Sequence, residues 1–361
     1  MVPEEIVTPI HLSTICSQNV PGEVKGFEYG RFENPTRTVA EKEVADLEKG
    51  KHAILFSSGM AAITAILLSL KSGDHIICSR NLYEGTVRVI DKIFVKFGIN
   101  TSFIDDESEI KKELRTSTKM VFFESVSNPL LRVADIAKIK ISIKDTDCKI
   151  VIDNTLASPF CIKPLELGAD IIIDSTTKSL AGHHDTIGGA VITNDDKIAG
   201  QIRFIQQSTG TMLSPFDCFL LSRGLKTFNV RLKQQCENAA KLADWLNKHP
   251  KIEKVIFPGL QQHKDNDIAK KQMSSFGLMV SAVIRGNNIG NFFKNLKLVK
   301  ISQSFGGFGT IIQVPRKMIN FSFSGKELDR LGITPNLIRI SVGLEDVNDI
   351  IEDLNQALNK I

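Results

Sequence analysis

Lys178 stands within an unusual passage, DIIIDSTTKSLAGHHD (170–185), in which an apolar run fit for a buried strand gives way to Ser175, Thr176 and Thr177 and then to one lysine. An exposed lysine, with a pKa of ~10.4, is a poor nucleophile at neutral pH. One held at the end of a buried strand is desolvated and activated for imine formation with a carbonyl group. An ordinary surface lysine in a loop is the competing reading, and its neighbours decide. SSGM (57–60) stands where GMAAITAILLSL begins a helical pattern, so free N–H groups beside the small Gly59 offer a seat for a phosphate. Asp153 ends the apolar run KIVID at what a parallel sheet makes the ligand crevice; it could hold a pyridinium nitrogen protonated or simply cap the next turn. Imine-forming lysine, acid and phosphate cradle are the three parts that pyridoxal 5'-phosphate (PLP) chemistry requires.

Other side chains fit around that set. Tyr83, in RNLYEGT, follows the strand-like HIICS and can stack on a flat cofactor. Tyr29 and Arg31, in YGRFENPTR, form a polar pair outside any clear core element. Arg339, in LIRISVGLED, is a cation inside an apolar strand, so it must find an anion: a substrate carboxylate gripped by two parallel hydrogen bonds, or an internal salt bridge. His183 and His184 are adjacent, which points them in different directions in most backbones. With no third ligand at sensible spacing they read as structural, and no metal is expected.

The elements that must position these groups follow from periodicity. HIICS, TSFID, MVFFES, KIVIDN, DIIIDS and GGAVITN read as strands, several apolar on successive residues, which fits a mostly parallel sheet covered on both faces: the class is α/β. NPTRTVAEKEVADLEKG and GMAAITAILLSLKSGD read as helices stopped by glycine. The stretch 214–250 predicts one long helix or a broken pair, with Ser214 and Pro215 opening it and Gly224 as the break. KIEKVIFP, GLMVSAVIR and LIRISVG predict strands of a smaller α+β domain, with helices around GNNIGNFFKNLKL and DVNDIIEDLNQALNK. The expected organisation is an N-terminal arm over 1–40, a cofactor-binding domain over 41–223 and a C-terminal domain over 224–361.

Composition narrows the partners. Among the 361 residues, 45 basic and 41 acidic side chains are interspersed and leave a net charge of +4, so no basic stripe is present to follow a nucleic-acid backbone. Apolar runs are too short for a bilayer, the start lacks an export or transit pattern, and six scattered cysteines suit reduced thiols, so a cytoplasmic protein with small-molecule substrates is expected.

YGRFENPTR, FSSGMAAI, LYEGT, ESVSNPL, VIDNT, LGADIIIDSTTKSLAGHHD, SPFDCFLLSRGLKTFNVR, SFGG and LIRISVGLED together resemble, in the same order, the PLP-dependent trans-sulfuration family of cysteine and methionine metabolism. The resemblance implies a fold-type I, aminotransferase-like subunit in a homotetramer of active dimers. It implies Lys178 as the cofactor lysine, Asp153 as the pyridinium partner and Tyr83 as the stacking ring. Gly59, Met60, Ser175 and Thr177 would form the phosphate cradle, with Tyr29 and Arg31 reaching the phosphate of the neighbouring subunit. Asn128 would lie near the cofactor's phenolic oxygen, and Arg339, with Ser304 and Gln303, would bind substrate. Lys178, once released, would act as the base.

Within the family the resemblance points to cystathionine γ-synthase or cystathionine γ-lyase, the synthase first, with O-acylhomoserine sulfhydrylase and cystathionine β-lyase as alternatives. Gly85 stands where methionine γ-lyases carry a cysteine. Gln303 stands where γ-synthases and γ-lyases carry Glu and bacterial β-lyases carry Tyr, which removes a charge for a distal ammonium. A non-catalytic PLP-binding regulator is the alternative from another class. An NAD-dependent oxidoreductase would need a G-x-G-x-x-G after the first strand, which is not there.

Overall fold

The computed structural model describes residues 5–286, 289–318 and 325–361. A seven-stranded sheet carries the first half of the chain: β1 (His52–Phe56), β2 (His75–Ser79), β3 (Asn100–Ile104), β4 (Thr118–Glu124), β5 (Lys149–Asp153), β6 (Ile171–Asp174) and β7 (Gly189–Thr193), in the order β1-β7-β6-β5-β4-β2-β3. Only β7 runs against its neighbours; the others are parallel. The apolar runs explain this. Residues on both faces of β4 to β7 are buried, so helices must cover both sides.

The five-stranded second sheet, in the order β10-β11-β12-β9-β8, comprises β8 (Ile252–Ile256), β9 (Met279–Ile284), β10 (Lys300–Ile301), β11 (Ile311–Gln313) and β12 (Leu337–Ser341). Alternate residues of β9, β11 and β12 enter its own core, while Met279, Val283 and Leu337 join the core of the large sheet. The two cores therefore meet across this second sheet.

Several local expectations shift. The helix Pro35–Glu48 is capped by Asn34 and closed by Lys49 at φ 59°, one residue before the expected glycine stop. Gly50 serves packing instead: a Cβ there would lie 2.3 Å from Ile192 Cγ2. The helix from Gly59 ends at Leu67 rather than continuing toward Gly73. The connector is a broken pair, Pro215–Leu225 and Phe228–Lys248, opened by Ser214 Oγ accepting from the Asp217 amide. Its interruption falls just after Gly224, which is itself helical and has no room for a side chain, since Ala181 O comes within 2.2 Å of where a Cβ would stand. The helix expected around 286–298 covers Ile289–Lys294, and Asn287 and Asn288 lie outside the described residues. β1, β10, β11 and the helix Asp196–Thr209 were not expected from the pattern. Among the described residues no helix is long and apolar enough to cross a membrane.

Candidate active site

Parallel strands β4, β5 and β6 end side by side, and each ends in a carboxylate: Glu124, Asp153 and Asp174. Glu124 is registered against Asp153. Beyond β6 the chain turns through Ser175, Thr176 and Thr177 to Lys178, held by Lys178 N to Ser175 O (3.1 Å) and by the Thr177–Gly188 contacts. Lys178 is thus presented at the carboxyl edge of the sheet.

Its ammonium donates to Ser304 Oγ (2.7 Å) and lies 5.1 Å from the centre of the Phe305 ring. Burial, and then the charge of Arg339, bring its pKa down to about 8. Ser304 sits at φ 79°, a left-handed conformation that costs a non-glycine residue energy and is kept here by a full set of contacts. Its carbonyl accepts from Arg339 Nη2.

Arg339 is only 2% exposed, and burial lowers its pKa to about 9. Nη1 donates to Asn128 Oδ1 (2.8 Å), and the guanidinium lies 5.4 Å from the same Phe305 ring that faces Lys178. Among the described residues it forms no ion pair, and Nε has no partner. The salt-bridge reading of this arginine therefore finds no partner.

The phosphate-type seat is built by close approach. Ser58 Oγ caps the helix Gly59–Leu67 by accepting from Ala61 N (3.0 Å), leaving the Gly59 and Met60 amides at its mouth. A Cβ on Gly59 would come 3.0 Å from Ser175 Cβ, and one on Gly189 would come 2.3 Å from Ser58 O. Ser175 donates its amide to Thr155 Oγ1 (2.8 Å), and the buried Thr176 hydroxyl has no partner among the described residues. Tyr83 stands over the helix mouth: a Cβ on Gly85 would strike the Tyr83 ring at 2.4 Å and Met60 Sδ at 2.8 Å, so any larger residue at 85 would displace both.

Asp153 is buried, and desolvation raises its pKa; Thr155 N–H on Oδ1 (3.0 Å) opposes the shift. Glu124 is pushed up further, by burial and then by Asp153, although it accepts from the Tyr83 amide. Two carboxylates at neighbouring strand ends each raise the cost of charging the other, and burial pushes both pKa values up. The set fits PLP on the chain's own features: a buried amine, an acid at the adjoining strand end, and an open helix mouth where Gly59 leaves room against Ser175.

Beside Ser304 a cavity of about 880 Å³ is lined by Thr177, His184, Asp185, Asp217 and Gln303 among others. The Gln303 amide donates to Met318 O (2.8 Å). Tyr29 and Arg31 make their contacts away from Lys178, Arg31 stacking 4.7 Å from the Phe32 ring and donating to Gln207 O. They line or flank a separate depression of about 320 Å³.

Sequence reading missed four supports. Glu124 ends an apolar strand as Asp153 does, so the same logic reaches it. Arg231 donates to Ser179 O (3.1 Å), Leu180 O and Gly224 O and leaves no room for a side chain at Gly182, pinning the turn after Lys178. Glu48 and Asp174, 0% and 1% exposed, lie within hydrogen-bonding reach, yet Oε2 of one and Oδ2 of the other meet no donor among the described residues. A proton shared between them would supply the missing hydrogen; burial first, then the partner carboxyl, raises Asp174 well up, and burial raises Glu48 to about 7.

That pair predicts a pH effect. A carboxyl whose folded pKa is raised gives stability fully present below its unfolded value and lost as pH rises through the folded one. Wild-type protein is therefore expected to lose up to about 3 kcal/mol between roughly pH 4.5 and pH 8 from this pair. Asp174→Asn, whose amide donates to Glu48 without a shared proton, is expected to flatten that decline in urea titrations; an unchanged slope would mean that the pair is not protonated.

The chain matches the model of a family described as Cys/Met metabolism PLP-dependent enzyme over residues 2–359. It is 41% identical over 359 residues to a cystathionine beta-lyase of Coxiella burnetii, covering 98% of this chain and 93% of that protein. It is 40% identical over 359 residues to a cystathionine gamma-lyase of Bacillus subtilis, covering 99% and 95%. Among solved structures it superposes with a TM-score of 0.96 and 33% identity, over 98% of this chain and 93% of the other, on cystathionine gamma synthase of Xanthomonas oryzae pv. oryzae in complex with aminoacrylate and cysteine.

Proposed function

Because the chain belongs to the Cys/Met metabolism PLP-dependent enzyme family, we propose that it acts at the γ-carbon of a sulfur amino acid. The reaction is that of cystathionine γ-synthase, joining cysteine to an O-acylhomoserine, or of cystathionine γ-lyase, cleaving cystathionine to cysteine, 2-oxobutyrate and ammonia; the synthase direction is placed first. The observation that carries an amino-acid substrate is Arg339. A buried guanidinium without an anion, facing the same ring as the Lys178 amine, is a seat for an α-carboxylate that sets Cα beside a base.

PLP, when bound, supplies an electron sink for the charge that develops at Cα. Lys178 would hold it covalently and, once its amine is released to the substrate, take the proton from Cα and return protons along the chain toward Cβ. A pKa near 8 leaves a useful share of that amine neutral at physiological pH. Ser304 Oγ, accepting from Nζ, would aim the amine. Asp153 would keep the ring nitrogen protonated. Gly59, Met60, Ser175 and Thr177 would hold the phosphate, Tyr83 would stack on the ring, and Asn128 would contact the phenolic oxygen as well as Arg339. Asp185 and Asp217, on the cavity wall with Gln303, would face a distal ammonium and so offset the neutral amide at 303.

We also propose a cytoplasmic homotetramer of active dimers, with Tyr29 and Arg31 reaching the neighbour's phosphate. The arm supports this: Leu12, Ile15, Val20, Tyr29 and Phe32 expose apolar surface that a second subunit would cover.

The beta-lyase relative gives a second reading, cleavage at the β-carbon. PLP-loaded protein given L-cystathionine, and separately O-acylhomoserine plus cysteine, is expected to yield cysteine with 2-oxobutyrate, or new cystathionine, by mass. Homocysteine with pyruvate would replace the γ reading by the β one.

A further inference from the structure

The second sheet has two unlike faces, both buried. Ile312, Ile338, Ile340, Val280 and Ala282 fill the smaller core, so the alternate residues of the same strands look toward the large sheet. On that face three polar residues stand in one row: Gln313 opposite Arg339, and Arg339 opposite Ser281. Directly opposed residues in antiparallel strands share a face and touch. Ser281 Oγ donates to Pro129 O (2.7 Å) and Arg339 Nη1 to Asn128 Oδ1 (2.8 Å), so two members of the row hold the 128–129 turn.

Among the described residues Gln313 holds nothing. It is 1% exposed, and neither Oε1 nor Nε2 meets a partner. Arg339 Nε, on the neighbouring strand, is bare as well. Buried amides are nearly always paired, and an unmatched acceptor beside an unmatched donor is a site waiting for a rearrangement. The guanidinium's outer nitrogens are taken up by Asn128 Oδ1 and Ser304 O, the two bonds with which a bound carboxylate would compete.

We propose that Gln313 is a positioning residue of the carboxylate seat, its Oε1 accepting the Arg339 Nε–H when the outer edge of the guanidinium turns to a substrate carboxylate. This rests on reading Arg339 as that seat. A planar guanidinium offers Nε–H as an anchor without giving up the fork that grips an anion. Gln313 thereby sets the angle of the fork and makes no contact with the reacting atoms.

The test uses the PLP-loaded enzyme and two unreactive probes: L-norleucine, and n-pentylamine, the same chain without the carboxylate. Binding is read from the cofactor's visible absorbance. Gln313→Leu is expected to weaken L-norleucine about tenfold and n-pentylamine by less than about twofold, with the cofactor's own spectrum unchanged. Gln313→Glu, which keeps the acceptor, is expected to stay within about threefold of wild type for L-norleucine. Unchanged L-norleucine binding in Gln313→Leu, equal losses for both probes, loss of the cofactor spectrum, or a failure of Gln313→Glu to restore binding would each overturn the proposal. Arg339→Ala separates the two readings. If it leaves L-norleucine binding intact, the seat itself is misplaced; if it weakens L-norleucine selectively while Gln313→Leu does not, only the role of Gln313 falls.

Discussion

Lys178→Ala is expected to lower turnover by at least about 10⁴-fold and to remove the visible absorbance of the lysine-bound cofactor, while the protein stays folded. The size follows from two lost contributions: the covalent hold on the cofactor and the general base, which alone contributes about 10²–10⁴-fold. Folding is spared because burying this cation carries a desolvation cost, seen in its lowered pKa, and its one hydrogen bond, to Ser304 Oγ, is replaceable by water from the adjoining cavity. Added methylamine is expected to restore a little turnover, since a small amine can reach the vacated space and accept the proton. Circular dichroism checks the fold. Turnover within about tenfold of wild type would reduce Lys178 to the surface-loop lysine that its sequence also permits.

Asp153→Asn carries the second large effect, a loss of about 10³-fold in kcat with the cofactor still attached to Lys178. The carboxylate is buried at the end of β5, where charge interactions are strong, and Asn offers a neutral amide that cannot keep a ring nitrogen protonated. Its local bond from Thr155 N survives the change, since the Asn oxygen accepts as well. A loss in activity therefore reads the charge rather than the turn. If kcat fell by less than about tenfold, Asp153 would be a cap and the charge would have to come from Glu124, whose pKa burial and Asp153 raise.

What the amino-acid sequence makes legible is the chemistry carried on continuous strands. β2 and β4 to β7 show as apolar runs because both faces are buried, and Asp153, Lys178 and Arg339 are visible as charges at or near such runs. β10 and β11 are two and three residues long, below the length at which alternation means anything. The helix Asp196–Thr209 does carry a readable signal, Asp195 accepting from the Lys197 and Ile198 amides at its start and Gly210 at φ 70° at its end.

The supports of the site were hidden for a different reason. Glu48 meets Asp174, Arg231 meets the 179–182 turn and Gln313 meets Arg339 only through the tertiary fold, and no local pattern distinguishes such residues from a solvated polar face. Tyr29 and Arg31 mark the opposite limit. Their residue types announce a function, but among the described residues Arg31 lies over the Tyr29 ring and donates to Gln207 O, away from Lys178, and the assembly proposed above is where they would act.

One measurement tests most directly that a single lysine at the end of β6 organises the whole site. PLP-loaded protein is reduced with borohydride, digested, and the peptides are mapped by mass. The pyridoxyl increment is expected on the peptide containing Lys178 and on no other. The increment on any other lysine, or no labelled peptide from protein that retains its cofactor colour, would contradict it.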